Sequence, residues 1–262
     1  MFAVLYRLYN HCYTDNEEFK KLKKMFDTHS AHKKPKNSLQ KLWRYLSYGR
    51  LIQAIEEESI YFSHISEMPD RWEGLLTIRT REMFFKSELR KYSGNVEAAN
   101  GSVSQYEEFR NDFYINCWHM NDQESYLMWK VYGNRECAIQ TNYERLFAAF
   151  APSPAKIEGC VVEYIDYERD GFGIGNTYTQ ISFKDIPYRD EREYRLLFWK
   201  VSPENIKLNP EEKGIKIQVD INMLIDNIYL NPGYIPNIDK LEKLIKEKRL
   251  DCKIKNTKIW EK

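Results

Sequence analysis

Apolar residues recur along this chain with two periods, and the period in each segment sets the element expected there. Phe19, Leu22 and Phe26, spaced by three and four, predict a short charged helix over 15–26. A polar, Lys-rich connection with Pro35 follows over 29–37. Alternation over 42–46 predicts a strand with Trp43 and Tyr45 on one face. A helix over 51–58, a strand over 60–63 and a loop over 63–74, marked by Pro69 and Gly74, come next. Residues 75–92 read as helical in their C-terminal half, 93–101 as a small polar loop, and 104–111 as another helix. Strands are expected over 113–118 and 136–140, with helices over 124–132 and 142–150. The β-branched run 157–167 reads as one long strand. Further strands are expected over 192–199, 215–219 and 228–230. A helix over 238–250 turns Leu241, Leu244 and Ile245 inward, and a last strand falls within 253–260.

Helices and strands are interspersed without regular βαβα alternation, and the strands are short and rarely apolar throughout. This predicts an α+β fold rather than a doubly wound parallel sheet: a single compact domain with a mixed, mainly antiparallel sheet and helical insertions. No repeat or low-complexity tract interrupts it. Residues 1–38 are expected to form an N-terminal helical extension packed on the main domain, and 39–262 an α+β domain carrying every motif below.

Composition narrows the function classes. The 262 residues carry 40 Lys+Arg against 39 Asp+Glu, which leaves no basic excess for a general nucleic-acid or membrane surface. The mean hydropathy is −0.68 and no long apolar run occurs, so no membrane span is expected. Aromatic residues make up 15% of the chain, which argues for order and allows an aromatic-lined cleft for a flat ligand as well as an ordinary core. The five cysteines, Cys12, Cys117, Cys137, Cys160 and Cys252, are odd in number and contain no C-x-x-C pair. Neither a disulfide framework nor a structural zinc site is expected. The N-terminal run shows no signal-peptide pattern, so reduced thiols in a cytoplasmic protein are expected. Gly171, Gly173 and Gly175 do not form a dinucleotide fingerprint, because no helical pattern follows them.

Three stretches concentrate the candidate chemistry. In the run from Cys117 to Tyr132, a strand ends at Trp118-His119, Asn121 is placed to cap the next helix, and Glu124 completes a capping box. His119, Asn121 and free helix N–H groups would then gather at an anion-attracting mouth, with Met128, Trp129 and Tyr132 on successive turns. In the run from Lys184 to Arg195, a strand would turn Glu191, Glu193 and Arg195 to one face and Arg192 and Tyr194 to the other. That face is either solvated, where ion pairs contribute little, or lines a cleft where a carboxylate acts in catalysis. Lys184 and Arg195 are either ligand contacts or strand-end ion pairs. In the third stretch, 61–74, a strand leads into a loop bearing Asp70, Glu73 and Gly74, with Arg44 on the neighbouring strand. Arg44 suits bidentate grip of phosphate or carboxylate, or a structural pair with Glu73 or Asp70.

These stretches, in this order, resemble a bacterial family known only by number, domain of unknown function 2971. The likeness lies in Trp43-Arg44-Tyr45, in Tyr61-Phe62-Ser63 with Asp70-Arg71-Trp72-Glu73-Gly74, in Trp118 to Tyr132, and in Lys184 with Glu191, Glu193 and Arg195. It covers about residues 40 to 230, and Arg71 stands where the family pattern has Pro. A second similarity, at the level of fold, is to ADP-ribosyltransferases of the Arg-Ser-Glu type, through Arg44, Ser63 and Glu191-x-Glu193 in that order. The Ser63-His64-Ile65-Ser66 text departs from their strand-ending pattern, and the spacing from Arg44 to Ser63 is short. That likeness implies an ADP-ribosyltransferase-like fold and NAD as substrate. Arg44 would hold the phosphates, Ser63 would support the nicotinamide ribose, and Glu193, with Glu191, would stabilise an oxocarbenium-like centre. Tyr45 or Trp129 would stack the nicotinamide.

The function expected is therefore an NAD-consuming transferase or glycohydrolase acting on a nucleotide-type small molecule without a metal, with a toxin or antiphage role inferred from that chemistry. The sequence names no acceptor macromolecule. A metal-dependent nuclease or phosphoesterase using His119, Glu124, Glu191 and Glu193 is one alternative. A non-catalytic nucleotide-binding module is another.

Overall fold

The computed structural model describes residues 33–235 and 237–260. The helix expected over 15–26, and all of the 1–38 extension except 33–38, lie outside the described residues. Strand β1 (Lys41–Leu46) buries Trp43 and Tyr45 on one face and Leu42 and Leu46 on the other. Ser47 caps α1 (Tyr48–Glu57), its hydroxyl accepting the Arg50 N–H at 3.4 Å. Strand β2 (Ser59–His64) runs into a 3-10 turn at Ile65–Glu67 and the loop bearing Asp70 and Glu73. A helical hairpin follows, α2 (Ile78–Lys91) and α3 (Val96–Glu108), tied by Arg81 to Glu107 at 2.9 Å. The expected loop over 93–101 is corrected here. Asn95 accepts the Ala98 N–H at 3.0 Å and starts α3, which buries Ala99, Val103 and Tyr106. Those spacings of four and three are helical, but the polar residues between them hide the stripe.

Next come β3 (Phe113–Met120), α4 (Tyr126–Val131), β4 (Cys137–Asn142) and α5 (Tyr143–Ala149). The expected long strand over 157–167 is two strands in two sheets. β5 (Glu158–Val161) pairs antiparallel with β8 (Glu193–Trp199), while β6 (Glu163–Ile165) pairs in parallel with β7 (Phe183–Asp185). The chain closes with β9 (Gly214–Gln218), α6 (Ile221–Leu224), β10 (Asn227–Leu230), α7 (Asp239–Lys248) and β11 (Lys253–Asn256). The result is one α+β domain on a mixed nine-stranded sheet, antiparallel except where β10 meets β11.

The order β11-β10-β4-β1-β3-β2-β9 conceals a fork. β8 pairs along one edge of β3, from Phe113 opposite Trp199 to His119 opposite Glu193. β1 and β2 must therefore share the other edge. β1 holds its C-terminal end, with Trp43 opposite His119, and β2 its N-terminal end, with Ser63 opposite Ile115. Between them, 116–118 meet no strand on that edge, and side chains take over the backbone bonding. Asn116 Nδ2 donates to the Tyr61 carbonyl at 2.8 Å, and the Arg44 guanidinium donates to the Cys117 carbonyl at 2.8 Å.

The two sheet faces differ. One packs Leu42, Phe62, Trp118, Tyr194 and Leu196 against α1, α5, α6 and α7 in the main core. The other carries two smaller apolar clusters, one around Phe113, Ile115 and Leu197 and one around Trp43, Tyr45 and Trp129. By strand alternation His119, Cys117, Glu193 and Arg195 fall on this second face.

Candidate functional site

A cavity of about 450 Å³ opens at the fork. Its lining includes eight residues that the sequence singled out: Arg44, Tyr45, Ser63, His119, Tyr132, Lys184, Glu191 and Glu193. Ser47, Arg50, Met68 and Cys117 also line it. Sequence reasoning missed these four as site residues. The one available signal was Arg50, which follows Arg44 across the Ser47 cap and so returns a second cation to the same mouth.

The charged wall is a buried network. Arg195, with 0% exposure, grips Glu193 through two nitrogens at 2.7 and 3.1 Å. It also donates to the Ile181 carbonyl at 2.7 Å and meets Glu73 at 2.7 Å. Lys184 meets Glu191 at 2.7 Å, Glu73 at 3.5 Å and Glu193 at 3.6 Å. Two cations thus face three carboxylates. Glu73 reaches its cations by charge contact rather than by aligned hydrogen bonds. Burial alone would raise the Glu193 pKa, but Arg195 and Lys184 outweigh it and lower the value to about 2. Glu193 is therefore a carboxylate at neutral pH and has no proton to give. Glu73 goes the other way: burial and the Glu193 charge push it up more than its cations hold it down.

Glu191 is saturated. Tyr132 donates to one of its carboxylate oxygens at 2.6 Å and Lys184 to the other at 2.7 Å, while its backbone carbonyl bonds His119 Nδ1 at 2.6 Å. Its position corrects the expected strand face. Glu191 ends a 3-10 turn (Ile186–Glu191) and Arg192 is left-handed at φ 42°, so the strand begins only at Glu193. Glu191 reaches the cavity from a turn and not from the register it was expected to share with Glu193.

Arg44 and Arg50 bring positive charge to the same lining. Arg44 is half-buried, and its one bond runs to the Cys117 carbonyl. No carboxylate pairs with it among the described residues. Neither expected partner takes it, because Glu73 serves Arg195 and Lys184, and Asp70 accepts the Trp72 N–H at 2.9 Å. Burial, then the charge of Arg50, lowers the Arg44 pKa to about 10, so the residue stays cationic at neutral pH. Burial pushes the Cys117 thiol well up, with the Glu193 charge adding to it, so this cysteine is no thiolate.

The expected helix-mouth anion site does not form. Ser125, not Asn121, caps α4, and its own N–H donates to the Tyr45 hydroxyl at 2.9 Å. Asn121 lies outside the lining and accepts from Trp43 Nε1 at 2.7 Å. Glu124 forms no capping box, since it accepts from Trp129 Nε1 at 3.0 Å and from Thr257. Trp129 stands behind the wall, edge-on to Tyr45 at 5.3 Å. Asp70, Glu73 and Arg195 also lie outside the lining, and Glu73 and Arg195 act on it through the network.

Among the described residues, no three His, Cys, Asp or Glu side chains converge as a metal-ligating group. No helix among them is long and apolar enough to cross a membrane. Comparison of the chain with family models, with curated proteins and with solved structures gives no match, so the likeness to the numbered family rests on the quoted motifs.

Two outcomes follow. Arg195→Met leaves Glu73 and Glu193 buried without their main cation and costs roughly 3–5 kcal/mol in urea unfolding. Pairing it with Glu193→Leu regains part of that loss, and an unchanged midpoint for the single variant would refute the network. The second concerns acid. Burial, then the Arg192 charge, lowers the His119 pKa, so the folded state resists a proton that the unfolded chain binds near about pH 6.5. Stability is then lost as pH falls below about 6.5. Thermal melts should show that loss in the wild type and a shallower one in His119→Phe. Glu193 adds a separate loss between about pH 4.5 and 2, while the raised Glu73 adds stability as pH falls toward about 4.5.

Proposed function

We propose that the cavity takes a nucleotide-type molecule and that the protein consumes NAD, as an ADP-ribosyltransferase or NAD glycohydrolase. The observation that carries this reading is the polarity of one cavity. Arg44 and Arg50 line the cavity without a carboxylate salt-bridge partner among the described residues, and Glu193, which also lines it, stays ionised. A molecule with an anionic middle and a cationic ring at one end matches that polarity. Arg44 would take the pyrophosphate oxygens, which suit a planar fork of donors. Tyr45 offers aromatic surface to the nicotinamide.

Cleavage breaks the bond between the ribose carbon and the nicotinamide nitrogen, and the electron pair leaves with nicotinamide. The positive charge left on the ribose develops near Glu193, a fixed anion that needs no proton transfer to act. Ser63 would hold the ribose. Water or an acceptor nucleophile then bonds to the ribose carbon and loses its proton to solvent. Such an activity fits a toxin or antiphage effector, because loss of NAD halts growth. The likeness to the numbered bacterial family, and an ADP-ribosyltransferase-like arrangement of Arg44, Ser63 and Glu193, belong to the same proposal.

One observation favours a second reading. Both oxygens of Glu193 are engaged by Arg195, which also suits a module that binds a nucleotide without cleaving it. The metal-dependent alternative is weaker, because Lys184, Arg195 and Tyr132 occupy the oxygens of Glu191 and Glu193.

Nicotinamide release by purified protein, with and without EDTA, separates the readings. The enzyme reading expects release that survives EDTA and falls roughly 100-fold or more in Glu193→Gln, while ADP-ribose still binds that variant. Binding without release in the wild type would leave the binding module. Phosphodiester cleavage abolished by EDTA would establish the metal-dependent reading.

A further inference from the structure

His119 carries an acceptor that nothing among the described residues uses. The residue is 3% exposed and is among those that line the cavity. Nδ1 lies 2.6 Å from the Glu191 carbonyl. A carbonyl can only accept, so Nδ1 bears the proton and the neutral ring leaves Nε2 as a bare lone pair. That Nε2 is buried and has no partner among the described residues. A buried acceptor without a donor costs free energy, and that cost is recovered when something brings a donor to it.

The neighbours do not supply one. Tyr132 gives its hydroxyl proton to Glu191, the Cys117 thiol turns to Glu193, and the Tyr45 hydroxyl, which accepts the Ser125 N–H, makes no hydrogen bond to Nε2. The tautomer is held from behind, because Glu191 is itself fixed by Tyr132 and Lys184. The spare donors of Arg44 and the lone pair of His119 are both open to a guest at this cavity.

We infer that His119 Nε2 is a recognition acceptor for a hydroxyl or amide N–H of the molecule whose anionic group sits on Arg44, so the site selects ligands that carry both. The inference rests on the nucleotide reading of the cavity and deepens it. A bare phosphate or pyrophosphate satisfies Arg44 alone. A ribosylated diphosphate, with sugar hydroxyls beside its phosphates, satisfies both groups. Glu193 and Glu191 set the electrostatics of the wall, while His119 reads a neutral donor group.

Calorimetry with two probes, ADP-ribose and inorganic pyrophosphate, tests this on the full chain. His119→Phe should weaken ADP-ribose about tenfold or more and leave pyrophosphate within about twofold, whereas Arg44→Met weakens both. His119→Gln places an amide oxygen near the Nε2 position and should restore most of the ADP-ribose affinity. Equal ADP-ribose affinity in the wild type and His119→Phe overturns the inference, as does an equal loss for both probes. Nitrogen spectra of labelled histidine test the tautomer without any ligand, and an Nε2–H ring overturns the inference. The enzyme reading fails separately. A wild type that binds ADP-ribose but never cleaves NAD removes the enzyme and keeps this recognition role. Cleavage of NAD with an unchanged KM in His119→Phe removes the role and keeps the enzyme. A wild type that binds neither probe overturns both.

Discussion

Arg195 is the group around which one side of this protein is assembled. A guanidinium removed from water must be surrounded by acceptors, and here they come from several parts of the chain. Glu193 lies two residues away on β8, Glu73 comes from the loop after β2, and the Ile181 carbonyl precedes β7. Lys184 on β7 then binds the same carboxylates and adds Glu191 from the turn before β8. Charge adds to the apolar contact that Ile65, Ile181 and Leu197 already make between these segments. Burying two cations with three carboxylates adds little net stability and is intolerant of losing one member. What the network provides is a fixed wall, with Glu193 ionised and Glu191 locked in place.

The place of Arg44 in the lining arises from a shortage of sheet edge. β1 and β2 both pair with the single edge of β3 that β8 leaves free, and they part where neither can hold it. Arg44 starts on the core face and crosses into that gap to bond the Cys117 carbonyl. A strand residue thus becomes a half-buried cation beside a cavity. The fork positions Arg44, the network positions Glu193, and His119 on β3 stands between them with its ring set by Glu191.

Much of this was legible in the residues. Alternation located β1, β3 and β8, and Trp43 and Tyr45 share a face as their spacing requires. The motifs around Arg44, Ser63, His119 and Glu193 do converge on one cavity. Other features depend on tertiary contacts that spacing does not encode. Val162 carries no breaker, yet the chain changes sheets there because β8 and β7 offer two different edges. Asn121 had the residue type of a cap, but Trp43 claims its carbonyl and Ser125 lies closer to the helix start. Arg195 and Lys184 were expected either at a ligand or at a strand-end pair. Deep burial made them a network, and burial is a property of the whole fold.

The central claim is that the fork between β1 and β2 is a ligand site in which Arg44 and His119 are open contacts. An experimental structure of the protein with ADP-ribose tests it most directly. The account predicts diphosphate oxygens within hydrogen-bond reach of the Arg44 guanidinium and a sugar hydroxyl on His119 Nε2, with the Arg195 network unchanged behind them. ADP-ribose bound elsewhere, or seated in the fork with His119 Nε2 still lacking a partner, would contradict it.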